Sequence, residues 1–265
     1  MIFSVENGRF GYKGADDLWH DVNFEVRQGE VLSILGPNGV GKTTLLKCCM
    51  GFLKWRCGAS KLDGTPITSI PHKELWQKIA YVPQAKNAGF SMTALEMVLL
   101  GRNAHMGTFS QPSPRDYELA HEMLADLGIE HLTHKLCSQV SGGELQMILL
   151  ARALASQPEM LILDEPESNL DFKNQLIILE TMTNLAHRKN IACIFNTHYP
   201  SHALSVSDKA LLLCKQGEAR FGDTEEIITE SNMREAFQVN VQINHYEVEE
   251  KDYKSVLALS IAQAA

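Results

Sequence analysis

Long apolar segments are missing from this chain of 265 residues. Its apolar runs, such as residues 147–150 and 210–214, are far shorter than the roughly 20 residues that a membrane-spanning helix needs. The N-terminal stretch MIFSVENGRF holds neither a basic segment nor a long apolar one, so we do not expect a secretory signal peptide there. The sequence instead predicts a globular protein with a large core.

An excess of basic residues is missing as well. Charged residues make up 21% of the chain, and the formal net charge is −8. The sequence contains no basic stripe of the kind that attracts the phosphate backbone of DNA or RNA. We therefore expect no nucleic acid as the main partner.

Regular cysteine spacing is missing too. The six cysteines are scattered, mostly within apolar runs, which indicates a reduced cytosolic protein without a disulfide framework.

Two groups of residues could be considered as metal sites. His131, His134 and Cys137 have a spacing that a soft metal ion could use, but no fourth ligand lies nearby in the sequence. The favoured interpretation of this segment is a polar approach to the next loop. His198 and His202 resemble a zinc pair on a helix, which the intervening Pro200 disfavours.

The most informative stretch is VLSILGPNGVGKTT, residues 31–44. It begins with a largely apolar, branched run that indicates a buried strand. The pattern G-x-x-x-x-G-K-[ST] follows and opens a helix, so backbone N–H groups can surround phosphate oxygens. Lys42 adds a positive charge for the β- and γ-phosphates, and the Thr43 hydroxyl can ligate Mg²⁺. The nucleotide-binding residues predicted here are Gly36, Pro37, Asn38, Gly39, Val40, Gly41, Lys42, Thr43 and Thr44.

Two further short apolar strands end in polar side chains. KIAYV (78–82) leads to Gln84, and MLIL (160–163) leads to Asp164 and Glu165. The carboxyl ends of strands in open α/β sheets are where ligands bind. Adjacent carboxylates at such a strand end, in a chain with a phosphate loop, predict Mg²⁺ ligation and activation of a water molecule.

Tyr12 lies between two predicted antiparallel strands, residues 2–6 and 22–27. Its ring could stack on the adenine base. Alternatively, Tyr12 and Phe10 are strand aromatics that fill one face of a sheet, and position alone does not separate the two interpretations.

Helical patterns dominate residues 87–156. A capping box at residues 113–116 begins one helix, and Ser-Gly-Gly-Glu at residues 141–144 begins another, where exposed N–H groups favour an anion. By itself the second motif is also typical of an ordinary capped helix start. Near the C-terminus, residues 239–248 alternate as an edge hairpin would. We expect Asp171 to be the N-cap of the helix that follows it. The residues of that helix predicted to face the core are Phe172, Leu176, Leu179 and Met182.

Together these motifs resemble the ATPase subunits of ATP-binding cassette (ABC) transporters, over most of the chain. In family terms, residues 36–44 are the Walker A loop and Tyr12 is the adenine-stacking position. The remaining motifs are Gln84 (Q-loop), VSGGE at 140–144 (signature), LILDEP at 161–166 (Walker B), SNLD at 168–171 (D-loop) and His198 (switch histidine).

The resemblance implies a role for each motif. Glu165, His198 and Gln84 would be catalytic, and Thr43, Gln84 and Asp164 would hold Mg²⁺ next to ATP. The family mechanism pairs two ATPase subunits around two ATP molecules. The residues that would complete the partner's site in trans are Ser141, Gly142, Gly143, Glu144 and Asp171.

The resemblance also implies an α/β fold, with a P-loop NTPase (RecA-like) core, an antiparallel β subdomain and an inserted helical subdomain. We expect a single ABC ATPase domain over residues 1–265. Residues 1–86 and 157–230 would form the nucleotide-binding core, residues 87–156 the helical subdomain with the signature motif, and residues 231–265 a C-terminal extension. The expected partners are a second ATPase subunit in a homodimer, integral-membrane permease subunits and, indirectly, a solute-binding protein. The expected location is cytoplasmic, peripheral on the inner face of the cell membrane.

A finer resemblance points to importers of iron-siderophore, haem and cobalamin. Two positions depart from the family pattern: Leu145-Gln146-Met147 stands where R-Q-R is usual, and Tyr199 stands where aspartate is common. The segments that carry this resemblance are YVPQ (81–84), TALEMVLLGR (93–102), His105, PSPRD (112–116) and LGIEHL (127–132).

Two alternatives remain. A soluble ABC ATPase of iron–sulfur cluster assembly is disfavoured by the G-R…P-S-P-R-D stretch in residues 101–116. A nucleotide-gated switch without turnover is disfavoured by the presence of both Glu165 and His198.

Overall fold

The computed structural model describes residues 1–85, 91–107, 110–249 and 251–262. In chain order its strands are β1 (Ile2–Phe10), β2 (Trp19–Arg27), β3 (Val31–Leu35), β4 (Cys57–Leu62), β5 (Thr65–Pro66), β6 (Ile79–Val82), β7 (Met160–Asp164), β8 (Ala192–Asn196), β9 (Lys209–Leu213), β10 (Ala219–Asp223), β11 (Val239–Val248) and β12 (Lys251–Ile261). Its α-helices are α1 (Lys42–Cys49), α2 (His72–Lys78), α3 (Ala94–Leu99), α4 (Pro114–Asp126), α5 (Gly142–Ala155), α6 (Phe172–His187), α7 (Pro200–Val206), α8 (Thr224–Ile227) and α9 (Glu230–Phe237). Short 3₁₀ turns lie at Ile67–Ser69, Leu100–Ala104, Glu130–Leu132, Cys137–Gln139 and Lys215–Gly217.

The central sheet has the order β10-β9-β3-β8-β7-β6, parallel except for β10 at its edge. Side chains of β7 alternate between two apolar layers: Leu161 and Leu163 face the helices α3 to α6, whereas Met160 and Ile162 face α1 and the second sheet. Both faces of the central sheet are covered, so its strands need apolar side chains on both sides. Residues 31–35 display this pattern.

The second sheet has the order β2-β1-β4-β5 and is antiparallel. Its inner face contributes Phe3 and Trp19, both fully buried, to the layer beneath the central sheet. The antiparallel β subdomain predicted from the sequence is thus present beside an α/β core.

Between β6 and β7 the chain forms α3, α4 and α5, which pack against one another. Their N-caps, Thr93, Ser113 and Ser141, each form a capping box, of which the sequence predicts the one at residues 113–116. Arg102 donates to the Asp116 carboxylate at 2.8 Å and to the carbonyl of Ala155 at 2.8 Å, both in buried surroundings. Arg102 therefore joins the segment after α3 to α4 through the ion pair and to the end of α5 through the hydrogen bond.

Two predictions about packing are wrong. Asp171 does cap α6, but Phe172 is 88% exposed and Leu176 is 60% exposed, while Leu179 and Met182 are buried. The reason is that α6 begins beyond the carboxyl edge of the sheet, so its first turns have no strand beneath them. The strand at residues 239–248 forms, but β11 pairs with β12 alone in a separate hairpin and not at the edge of a larger sheet. That hairpin packs on α9 and α7.

Candidate active site

The loop between β3 and α1 forms an open cradle. Gly39 and Gly41 have positive φ angles of 80° and 103°. Glycine adopts such angles more readily than residues with a side chain. A Cβ at Gly41 would lie 2.4 Å from Cζ2 of Trp19, whereas one at Gly39 would meet no atom within 4 Å. The Trp19 indole also donates to the carbonyl of Val40 at 2.9 Å. Trp19, which sequence reasoning missed, therefore supports the loop from behind and leaves its front open to a ligand.

Lys42 places its ammonium inside this loop. Nζ donates to the carbonyl of Gly36 at 2.8 Å and to that of Pro37 at 3.3 Å. Burial lowers the pKa of Lys42, and the carboxylates of Glu165 and Asp164 oppose that shift. A buried ammonium beside open backbone N–H groups is suited to an anionic ligand.

Asp164 is the centre of a hydrogen-bond network at the end of β7. Its Oδ1 accepts from the Thr43 hydroxyl at 2.9 Å and from Asn196 Nδ2 at 2.7 Å, and its Oδ2 accepts from the Tyr81 hydroxyl at 3.1 Å. Burial, followed by the charge of Asp164, raises the pKa of Tyr81. Sequence reasoning missed Asn196 and Tyr81, although each lies at or near a strand end beside β7.

The donor set around Asp164 fits magnesium. A hydroxyl (Thr43), a carboxylate (Asp164) and a side-chain amide (Gln84) offer oxygen ligands, which this hard cation prefers. The family resemblance implies that these three residues hold Mg²⁺, and a hydrogen bond joins Thr43 directly to Asp164.

Glu165 brings the three predicted catalytic residues together. Its Oε2 accepts from Gln84 Nε2 at 3.4 Å and lies 3.3 Å from His198 Nε2. Ser168 also donates to Oε2, at 3.1 Å. The backbone of Glu165 has a φ of +47°, and its N–H donates to Asn196 Oδ1 at 2.6 Å, so the same asparagine positions both acidic residues.

The loop that carries His198 is held by a buried carboxyl group. Thr197 donates its hydroxyl to Glu167, which is 1% exposed, and accepts the N–H of Tyr199 at 3.0 Å. His202 Nδ1 lies 3.8 Å from Oε1 of the same glutamate. Across the described residues, no group of three or more His, Cys, Asp or Glu side chains is placed to hold a metal ion.

Tyr12 lies just outside β1 at the rim of the cradle. Its hydroxyl is 3.1 Å from Thr44 Oγ1, and its ring is 50% exposed, edge-on to Phe10 at a centroid distance of 5.2 Å. Phe10 is 5% exposed and fills the sheet, so the two aromatics have different surroundings. An exposed ring beside the loop is available for stacking.

The residues predicted to act in trans lie at helix starts. Ser141 accepts the N–H of Glu144, and Glu144 accepts that of Ser141 at 2.8 Å. A Cβ at Gly143 would lie 2.7 Å from the side chain of Asn174, which accounts for glycine where α5 approaches α6. In the part of the chain that the structure describes, Ser141, Gly142, Gly143, Glu144 and Asp171 form no hydrogen bond to Lys42, Asp164 or Glu165.

A family model described as "ABC transporter" matches residues 19–168, more than half of the chain. The chain belongs to this family. A second model, "AAA domain, putative AbiEii toxin, Type IV TA system", matches the shorter stretch 137–201. As an ABC ATP-binding domain, the chain binds ATP and is an ABC-type ATPase.

Relatives extend the similarity over nearly the whole chain. The molybdate import ATP-binding protein MolC of Haemophilus influenzae is 38% identical over 88% of this chain and 87% of its own length. A probable iron chelatin transport ATP-binding protein of Helicobacter pylori is 34% identical over 80% and 86%. A solved structure described as a metal-chelate type ABC transporter in an inward-facing conformation is 34% identical, covers 97% of both chains and has a TM-score of 0.87. No helix among the described residues is long and apolar enough to span a membrane.

We predict that Glu165→Gln lowers ATP hydrolysis by at least about 10²-fold while ATP affinity stays within a factor of about two, because the amide keeps the shape but cannot accept a proton. Steady-state ATPase rates and calorimetric ATP titrations would measure the two quantities. We also expect ATP to drive a dimer of this variant that is stable enough to see by size exclusion.

The matched control is Glu180→Gln, which makes the same change at an exposed position of α6, away from Glu165 and from the loop that carries His198. A Glu165→Gln enzyme that turns over ATP within threefold of wild type, with no ATP-dependent dimer, would show that another residue removes the proton.

Proposed function

We propose that this ABC ATPase energises import of a metal chelate, such as a ferric siderophore, haem or cobalamin, through a separate membrane permease. The observation that supports this most directly is the similarity to the metal-chelate type transporter over 97% of both chains. The relative named as an iron chelatin transporter points the same way. Molybdate import is a second candidate, because the molybdate relative is 38% identical.

The site geometry supports hydrolysis in the following way. Residues 36–44 would surround the phosphates, with Lys42 next to the β- and γ-phosphates and Tyr12 under the adenine. Thr43, Gln84 and Asp164 would hold Mg²⁺, which when bound supplies positive charge against the phosphate oxygens. Glu165 would take the proton of the attacking water, and His198, at 3.3 Å from that carboxylate, would stabilise the charge on the transferred phosphoryl group.

A homodimer would complete each site. Ser141 and Asp171 lie on the surface at the starts of α5 and α6, where a partner subunit can reach their side chains and the exposed N–H groups. Phe172, exposed directly after Asp171, adds an apolar side chain to the same region.

The permease would dock on a groove of about 500 Å³ between the core and the helical segment. The side chains that line it include Trp76, Tyr81, Leu100 and Arg152, and Leu100 is 42% exposed. Tyr81 also donates to Asp164, so the groove and the nucleotide site share a residue. From the sequence, we predict this docking surface around residues 84–101, where a loop-rich segment joins Gln84 to the helical subdomain. Leu100 and Gly101 lie in the groove, and residues 86–90 fall outside the described residues. Docking there would keep the subunit peripheral on the inner face of the membrane.

The proposed cargo is tested by uptake in cells that lack this gene. We expect wild-type complementation to restore uptake of ⁵⁵Fe-siderophore, haem or labelled cobalamin, and Glu165→Gln complementation to leave it at the background level. Restored ⁹⁹Mo-molybdate uptake without any chelate uptake would favour the second candidate. Restoration of neither would contradict the assignment as an importer of these solutes.

We predict that Ser141→Arg leaves ATP binding by the isolated subunit within about twofold of wild type but removes turnover, because the added bulk and charge meet the partner's γ-phosphate. Binding is measured by calorimetry and turnover by phosphate release. Ser141→Ala is the control, since it also loses the cap, worth about 1 kcal/mol, without adding bulk. Loss of ATP binding in Ser141→Arg alone would mean that this turn serves its own site.

We predict that Leu100→Glu lowers solute uptake at least about tenfold while the ATPase rate of the isolated subunit stays within twofold, since a buried, unpaired charge would disrupt an apolar docking contact. The control is Leu259→Glu, which places the same charge on the exposed C-terminal hairpin. Equal loss of uptake in both variants, or a parallel loss of basal hydrolysis, would show that the groove is not the docking site.

A further inference from the structure

The loop between β1 and β2 folds around the guanidinium group of Arg56. Arg56 Nη2 donates to the carbonyl of Tyr12 at 2.6 Å and to that of Ala15 at 2.9 Å. Its Nη1 donates to Asp17 Oδ1 at 2.6 Å, and Arg9 binds the other oxygen of the same carboxylate. A single side chain therefore ties the beginning, middle and end of this loop together.

Arg56 reaches the loop from a different part of the chain, the connection between α1 and β4. A Cβ at Gly11 would lie 3.0 Å from the Arg56 guanidinium carbon and 2.6 Å from the carbonyl oxygen of Asp16, so the backbone closes tightly around the group. The planar guanidinium offers several donors at fixed angles, which a lysine ammonium at the same place cannot match.

The contact places Tyr12 beside the nucleotide-binding loop. Arg56 binds its backbone carbonyl, the Phe10 ring lies nearly perpendicular to its ring, and Thr44 Oγ1 lies 3.1 Å from its hydroxyl. Tyr12 is thus held at its backbone, beside its ring and at its hydroxyl, while the residue remains 50% exposed. A flat, exposed and immobilised ring is suited to stacking on a nucleobase, because little conformational entropy is lost on binding.

We propose that Arg56 is a positioning residue that presents Tyr12 to the base of the nucleotide and so sets the affinity for ATP without contacting the phosphates. The inference rests on the proposed function, in which Tyr12 stacks on adenine. It adds that an arginine outside the recognised nucleotide-binding motifs determines whether this stacking is available.

The test compares a ligand that has a base with one that has none. ATP and inorganic tripolyphosphate are titrated into the full-length subunit by calorimetry, in the presence of Mg²⁺. For Arg56→Ala we expect the Kd of ATP to rise about 3- to 10-fold, because part of the base stacking is lost, while the Kd of tripolyphosphate stays within twofold. Arg56→Lys keeps the charge but not the planar donors, and we expect ATP affinity to fall in the same direction by a smaller factor.

Two variants separate the possible causes. Lys54→Ala removes an exposed positive charge from the same connection and should leave both affinities unchanged. Tyr12→Ala should weaken ATP but not tripolyphosphate. If Arg56→Ala is unstable in a thermal melt, Arg56→Lys, which keeps the charge and most of the side-chain volume, carries the comparison.

Each outcome decides something. Equal weakening of ATP and tripolyphosphate in the Arg56 variants would overturn the inference, because Arg56 would then act on the phosphate loop or on the whole fold. Unchanged ATP affinity in the Arg56 variants, with a loss in Tyr12→Ala, would also overturn it while leaving the stacking role intact. Unchanged ATP affinity in Tyr12→Ala would remove the stacking role itself, and the inference with it.

Discussion

The carboxylate of Asp164 joins the segments from which the site is built. It accepts hydrogen bonds from α1 through Thr43, from the end of β8 through Asn196 and from β6 through Tyr81. These contacts require the register of the parallel sheet, in which Asp164 stands opposite Asn196. A slip of β7 by one residue in this register would turn the side chain of Asp164 to the other face of the sheet, away from these three partners. The packing of both faces of the central sheet therefore fixes the positions of the polar groups at its edge, and the proposed ATP chemistry depends on a buried apolar framework.

Local signals explain what the sequence predicts well. The glycine-rich turn, the capping box at Ser113, the helix start at Ser141 and the buried strands are each encoded within a few neighbouring residues, and each forms as expected. Contacts between distant segments are different. Trp19 lies behind Gly41, and Asn196 bridges Asp164 and Glu165, only because three-dimensional packing brings them there. The exposure of Phe172 and Leu176 has the same origin: helical spacing gives the apolar face, but not where the sheet beneath that face ends.

The proposed ATP chemistry and the proposed contact with a membrane partner use different surfaces of this molecule. The residues around Asp164 and Glu165 would serve any ABC ATPase, and relatives named for molybdate and for iron chelatin transport share the family. We place cargo selection with the membrane partner that the groove around Leu100 would bind. Arg152, which lines this groove, donates to the backbone carbonyl of Tyr81 at 3.3 Å. The side chain of Tyr81 donates to Asp164, so a short physical path leads from the groove to the nucleotide site.

The left-handed backbone of Glu165 carries a cost that the rest of the fold must offset. A residue other than glycine in this conformation loses about 1–2 kcal/mol, and here the hydrogen bond from its N–H to Asn196 helps to hold it. Glycine or asparagine would suit this backbone better than glutamate does. Selection for heat-resistant variants of this chain would therefore favour replacing Glu165, the proposed base, by glycine or asparagine. A substitution that stabilises the fold at position 165 would thus remove ATP turnover, so any selection for stability must be combined with selection for transport.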